Sequence, residues 1–326
     1  MEPLSQAVFA VLVSGNGPRD GVQLEAHFSR RRKAMKSKSI LYALGLVLLC
    51  VSAATAADQL TFKFKTVKVP GSTSTEPGGI NNKGVSVGLY VDSAGVGHGY
   101  ILSGKKLTTL DDPNGTAGST GGSNLNPDGA VSVVGTYTSS KTGNPVAFLY
   151  KGGKYTDIPG PKGAVAVFGS AVNDSGSIVG YYTDSASAVH GFLLKGKTYT
   201  TLDVPSAVAS YATGINKSGK ITLFWIDSAS AYESSIYNGK TYTTINVPGS
   251  PNSLALDLNA AGDVTYQLID SSGNDHGGLL HAKKFYTYEY PKAADTYGGG
   301  INDKSEVVGG YASSTSGPWS AFQASY

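Results

Sequence analysis

"INDKSEVVGGYASSTSGPWSAFQASY", Ile301 to Tyr326, closes the chain and repeats the front of a longer phrase, "VNDSGSIVGYYTDSASAVHGFLLKGKTYTTLDVP", Val172 to Pro205. The last copy stops before any counterpart of "KTYTTLDVP". That counterpart stands at the other end, as "TFKFKTVKVP" from Thr61 to Pro70, with Phe64 in the place of Tyr199 and Tyr242. A repeat divided between the two termini is what a closed ring needs and what an open solenoid has no use for.

Working outward, the phrase apolar-Asn-x-x-Gly recurs at Asn81, Asn126, Asn173, Asn216, Asn259 and, with Ser for Gly, at Asn302. Each copy holds four short segments of period-two or Gly- and Val/Tyr-rich character, which is strand patterning. In the third copy they are "SAVN", "SIVGYY", "HGFLLKG" and "KTYTTLDVP". Asn-x-x-Gly and Lys-Gly-Lys make tight turns, because Asn bonds back to the chain and Gly accepts a positive φ. The other two connections are longer. Since strands alternate direction, both tight turns fall on one face and both long loops on the other.

The expected fold is all-β, a six-bladed β-propeller of four-stranded antiparallel blades closed by an N-terminal strand (3+1 closure). Its blades are expected at about 76–113, 119–159, 166–205, 209–248, 252–291 and 296–326 plus 59–70. The first strand of each copy is small and Gly-rich and belongs innermost, where a narrow axis crowds the backbone.

Residues 1–57 read differently. "MKSKSILYALGLVLLCVSAATAA" from Met35 has two lysines, an apolar run too short to cross a bilayer, and the pattern Ala54-Thr55-Ala56. It is expected to be a signal peptide cleaved near Ala56/Ala57, which places the protein in the periplasm or outside the cell. Residues 1–34 have no pattern of their own and are expected to reflect a start set too early. "SRRRK" (Ser29–Lys33) has Lys33 where a twin-arginine signal wants an apolar residue. Cys50, the only cysteine, and every arginine lie in this leader. The rest of the chain therefore has no disulfide, no thiol chemistry and no guanidinium clamp for carboxylates or phosphates. It carries nineteen Lys against twenty Asp and Glu. Nothing there favours nucleic acid, and no membrane span is expected after processing.

The phrase G-x-I-V-G-Y-Y-x-D…H-G-F-L…T-x-x-D-x-P, Gly176 to Pro205, is similar to the bacterial extracellular repeat called HAF, after its His-Ala/Gly-Phe signature. The resemblance covers residues 59–326, weakly in the fourth and fifth copies, where Leu223 and Tyr266 replace Gly180. It implies a secreted propeller-type repeat protein and no catalytic residues.

Candidate sites follow from the strand order. His98, His190 and His276 occupy the signature position in alternate copies; it lies too far off axis for one shared metal site, so each ring is expected to bond a loop carbonyl. Asp92, Asp184, Asp227 and Asp270 suit Asx turns opening the long loops, with "DSSGND" (Asp270–Asp275) the nearest approach to a calcium loop. Five residues before the turn asparagines stand Glu76, Phe168, Tyr211 and Tyr297, at the axial mouth on the long-loop face. Three rings and one carboxylate there suit stacking on a sugar or small aromatic; the same rings could instead pack between blades. The expected function is a binding or scaffold propeller recognising an extracellular glycan, small molecule or protein, without cofactor or metal and as a monomer. The rivals are a propeller hydrolase or lyase using Glu76, with Asp295 as the other acidic candidate, and a structural envelope protein without a specific ligand.

Overall fold

The computed structural model describes residues 60–250, 252–314 and 317–326. The expected signal peptide and early start lie outside them. Among the described residues the strands form six four-stranded antiparallel blades, five of them in chain order from first strand to fourth and the sixth completed by the N-terminal strand Lys63–Val67. Blade three is representative, with strands Ala164–Val172, Ile178–Asp184, Val189–Lys195 and Thr198–Leu202. Its first strand begins well before the "SAVN" read from sequence, because the residues from Ala164 onward pair with the full length of Ile178–Asp184. Blades three and four are also joined by one parallel bridge, Val189 to Ala209.

The ring closes as the divided repeat requires. Lys63–Val67 pairs antiparallel with Ser320–Ser325, setting Phe64 opposite Ala324. Phe64 meets Phe322 edge to face at 5.2 Å and 76°, and Tyr199 meets Phe192 in the same way at 5.7 Å and 67°. The N-terminal strand thus reproduces the side-chain packing of an ordinary fourth strand, as well as its hydrogen bonding, and leaves no bare edge beside the last strand.

The recurring asparagines do two jobs. Asn173 Oδ1 accepts the Ser177 amide within its own turn, while its Nδ2 donates to the Asn216 carbonyl of the next blade at 3.1 Å. The same inter-blade bond runs from Asn216 to Asn259, from Asn259 to Asn302, and from Asn302 to Asn81. Blade two interrupts the series. Its turn is two residues longer, so Asn126 Oδ1 reaches Ser132, and the buried Nδ2 of Asn81 finds no partner among the described residues. Where the sixth copy has Ser for Gly, Ser305 takes φ +62°, the left-handed conformation that Gly176 holds at +76°.

The first strands are innermost, each contacting the first strands of both neighbouring blades. The apolar core lies between adjacent blades: Val134, Ala147 and Ile158 of blade two, for instance, pack with Val167, Ile178 and Phe192 of blade three. No helix among the described residues is long and apolar enough to cross a membrane.

Candidate functional site

Every first strand breaks register at the same place. The shifts fall between Pro77 and Gly79, Gly122 and Asn124, Gly169 and Ala171, Ala212 and Gly214, Ala255 and Asp257, and Gly298 and Ile301. A bulge adds one unpaired residue and re-aims the chain around it. The bulged residues Gly78, Ser123, Ser170, Thr213, Leu256 and Gly299 form a six-membered collar, and all six line one cavity on the propeller axis. Its volume is about 110 Å³, room for several waters.

One turn-ward step from the collar, the axis is blocked. Asn124 Nδ2 of blade two donates to Asp257 Oδ2 of blade five at 3.0 Å, a bond between opposite blades. Asp257 also accepts the amides of Ile301 at 3.1 Å and Leu258 at 2.9 Å. Glycine makes room for this tie. A Cβ on Gly79 would sit 2.1 Å from Asn124 Oδ1, and one on Gly214 would sit 2.6 Å from Asp257 Oδ1. Complete burial pushes the Asp257 carboxyl up to about 6 despite those donors. The tie closes the cavity on the side of the tight turns, where Asn124 and Asp257 line it.

At the upper level the six first-strand residues five before the asparagines each face a second-strand partner. The pairs are Glu76 with Leu89, Gly121 with Thr136, Phe168 with Tyr181, Tyr211 with Phe224, Leu254 with Gln267, and Tyr297 with Gly310. Of the four residues expected at the mouth, Glu76 and Tyr297 line the cavity. Phe168 and Tyr211 stand one layer back. Phe168 stacks on Tyr181 at 4.6 Å and Tyr211 on Phe224 at 4.4 Å, and it is Tyr181 and Phe224 that reach the cavity wall. The two stacks touch through Tyr181 and Tyr211, 5.0 Å apart and edge to face, so the rings form a continuous aromatic wall across blades three and four.

Opposite polar character comes from Glu76 and Gln267. Burial pushes the Glu76 carboxyl up to about 7, and its buried Oε2 has no hydrogen-bond partner among the described residues. Gln267 donates to Asp275. No lysine lines the cavity. Asp295, the other acidic candidate, is buried and accepts the Asp275 amide at 3.3 Å; it does not line the cavity. Sequence reasoning missed Asp257, Asn124, Tyr181 and Phe224. The first two break the small-residue character of their first strands, "LALDL" and "GGSNL", and a polar residue in an innermost strand was the available signal.

The signature histidines have a different role from the one expected. His98 Nδ1 bonds the Asp111 carboxylate at 2.9 Å while Nε2 lies 3.5 Å from Asp92. His190 sits likewise between Asp203 and Asp184, and His276 between Glu289 and Asp270. The partners are carboxylates instead of a loop carbonyl, since the fourth strand ends beside the ring with an acidic residue. Each of the aspartates opening a long loop accepts two amides of its own turn, as Asp92 does from Ala94 and Val96, both at 2.8 Å. Asp270 does the same with Ser272 and Asn274. The long loop and the fourth strand are thereby pinned to one ring in blades one, three and five. Among the described residues no group of three or more His, Cys, Asp or Glu is placed to hold a metal ion.

No family profile and no curated protein matches the chain. Solved structures do match its shape. AofleA from Arthrobotrys oligospora is similar with a TM-score of 0.51 at 10% identity, over 79% of this chain and 87% of that one. An arginine-to-alanine mutant of the same protein gives 0.50 at 12%, over 79% and 88%. The Aleuria aurantia lectin, as a mutant in complex with α-methyl-L-fucoside, gives 0.49 at 11%, over 79% and 96%. The fold is a β-propeller.

Proposed function

We propose that this chain is an exported, non-catalytic binding propeller of the HAF-repeat kind that takes one sugar residue of a glycan into the axial cavity from the long-loop face. The observation that carries the reading is one axial cavity, floored by the Asn124–Asp257 tie, whose lining combines Glu76 with the rings of Tyr181, Phe224 and Tyr297. The lining holds no cation to attract an anionic ligand, and its two carboxyls are biased toward their neutral forms. A neutral polyhydroxylated ring fits that chemistry, offering hydroxyls to Glu76 and C–H faces to Tyr181 and Phe224. Acid–base catalysis needs two carboxyls free to exchange protons with a substrate. Asp257 is committed to three donors, which leaves Glu76 alone and favours binding over hydrolysis.

The test is a glycan array probed with the chain from Asp58 onward, followed by calorimetry on the hits. Glu76→Ala should weaken a confirmed sugar at least tenfold, and Lys217→Ala or Lys304→Ala in the tight turns should leave it unchanged. An array without hits, or sugar binding indifferent to Glu76→Ala, removes this reading; hydrolysis of a glycoside panel abolished by Glu76→Gln would replace it with the enzymatic one.

A further inference from the structure

The two faces of the disc carry opposite charge, although the chain beyond residue 57 is nearly neutral. In each of the first five blades an exposed lysine stands in the turn between third and fourth strands, Lys105, Lys197 and Lys240, or opens the fourth strand directly after it, Lys154 and Lys284. In the sixth, where the chain is interrupted, Lys63 opens the closing strand opposite Ser325 and fills the same place. A nearer circle of exposed lysines, among them Lys83, Lys217 and Lys304, stands in the turns after the first strands. Acidic residues on this face lie near the axis and are engaged there. Asp174 accepts the Asp128 amide, Asp303 accepts the Ala260 amide, and Asp263 accepts from Tyr326. Carboxylates gather on the opposite face, at Asp92, Asp111, Asp184, Asp203 and Asp270, where among the described residues the lysines are only Lys68, Lys141, Lys162 and Lys292.

We propose that the tight-turn face is a docking surface for an anionic lipid bilayer, on which the propeller lies flat with its long loops and cavity pointing away. Three features select that partner. The lysines stand on hairpin tips at the rim of one face, so their charge is presented to a plane. A depression on the same face, between blades two and three, is lined by Asp128, Asp174 and the single cation Lys151, so it offers an anionic chain no basic groove to enter. The cations are all lysine, point charges suited to a diffuse field of headgroups, with no arginine fork to select an individual phosphate or base. A lysine held near an anionic leaflet contributes through the surface potential, and the attraction decays within a Debye length. The inference is independent of the sugar reading, since it concerns the other face.

The experiment is co-sedimentation of the chain from Asp58 onward, whose described residues close the ring on themselves, with vesicles of phosphatidylglycerol and phosphatidylcholine, using pure phosphatidylcholine as reference. Binding should appear with the anionic vesicles at low salt and vanish at roughly 0.5 M sodium chloride. Each rim lysine should contribute about fivefold to the partition constant. Lys105→Gln, Lys154→Gln, Lys197→Gln and Lys284→Gln together should therefore abolish sedimentation while leaving Tm unchanged. Lys141→Gln, Lys162→Gln and Lys292→Gln on the other face should retain it, as should Glu76→Ala. No sedimentation at low salt, loss through the long-loop set instead, or preferential capture by a soluble acidic polysaccharide or by DNA at equal phosphate or carboxylate concentration would each overturn the proposal.

Discussion

In blade three the ring that fills the space beneath the fourth strand comes from the third strand: Phe192 lies over Gly180 and meets Tyr199 edge to face at 5.7 Å. In blade five it comes from the second strand. Tyr266 lies over Gly278 and meets Phe285 at 6.1 Å and 66°. Both rings are buried, and in both cases the partner is glycine because nothing larger fits. A Cβ on Gly180 would come within 3.0 Å of Phe192, and one on Gly278 within 1.9 Å of Tyr266. Blade four uses a third solution, Leu223 opposite a buried Ser235. What the repeat preserves across blades is the filled volume at one cross-strand pair, while the strand that supplies the side chain is free to change. Leu223 and Tyr266, which stand where blade three has Gly180, fill the same core from the second strand.

The sharpest way to break the comparison is to put both rings into one blade. Gly278→Phe places a second aromatic against Tyr266, its Cβ 1.9 Å from that ring, so the variant should lose its cooperative urea transition. Adding Tyr266→Gly should restore a cooperative transition with part of the parent stability, because the atoms nearest the new Cβ all belong to the Tyr266 ring; a double variant as disrupted as the single would show that volume is not what the pair conserves. Emptying the position is the next largest effect. Tyr266→Ala and Phe192→Ala should each cost about 3–5 kcal/mol, equal within error, measured by chemical denaturation. If the two differ widely, the rings are not equivalent.

At the axis the comparison is between Glu76 and the uncharged residues at the same level of the other blades. Its carboxyl is raised from an ordinary 4.5 to about 7, so the folded state holds a proton that the unfolded state releases, and stability falls as pH rises from about 4.5 to 7. Glu76→Gln should accordingly stabilise the protein by about 3 kcal/mol at pH 8 and leave it unchanged at pH 4, followed by thermal melts across that range.

The smallest effect distinguishes the blades with a clamped histidine from blade four, where Glu233 takes the position. Burial alone would lower the His98 pKa, but Asp111 and Asp92 together raise it. Its contribution is present below the unfolded-state pKa and is lost as pH rises through the folded one. His98→Gln should therefore cost more at pH 5 than at pH 9, by under about 1 kcal/mol. A constant cost across pH would mean that the ring acts only by stacking on Tyr90, 5.1 Å away.

The legible part of this molecule was whatever the repeat states six times. The Asn turns, the four-strand pattern, the innermost place of the Gly-rich strands and the closing segment at Thr61–Pro70 all follow from local chemistry copied at a fixed interval, and each was readable from the sequence alone. Of the cavity lining, Glu76 and Tyr297 stand at the level in the repeat that the sequence singles out, and the same rule also chose Phe168 and Tyr211, which do not line the cavity. Which of two stacked rings faces the axis depends on how adjacent blades splay, and no single strand encodes that. The collar of bulges, the Asn124–Asp257 tie between opposite blades and the division of lysines and carboxylates between two faces were decided by tertiary structure. They join residues that are remote along the chain, such as Asn124 and Asp257, and these meet only because six sheets close around one axis.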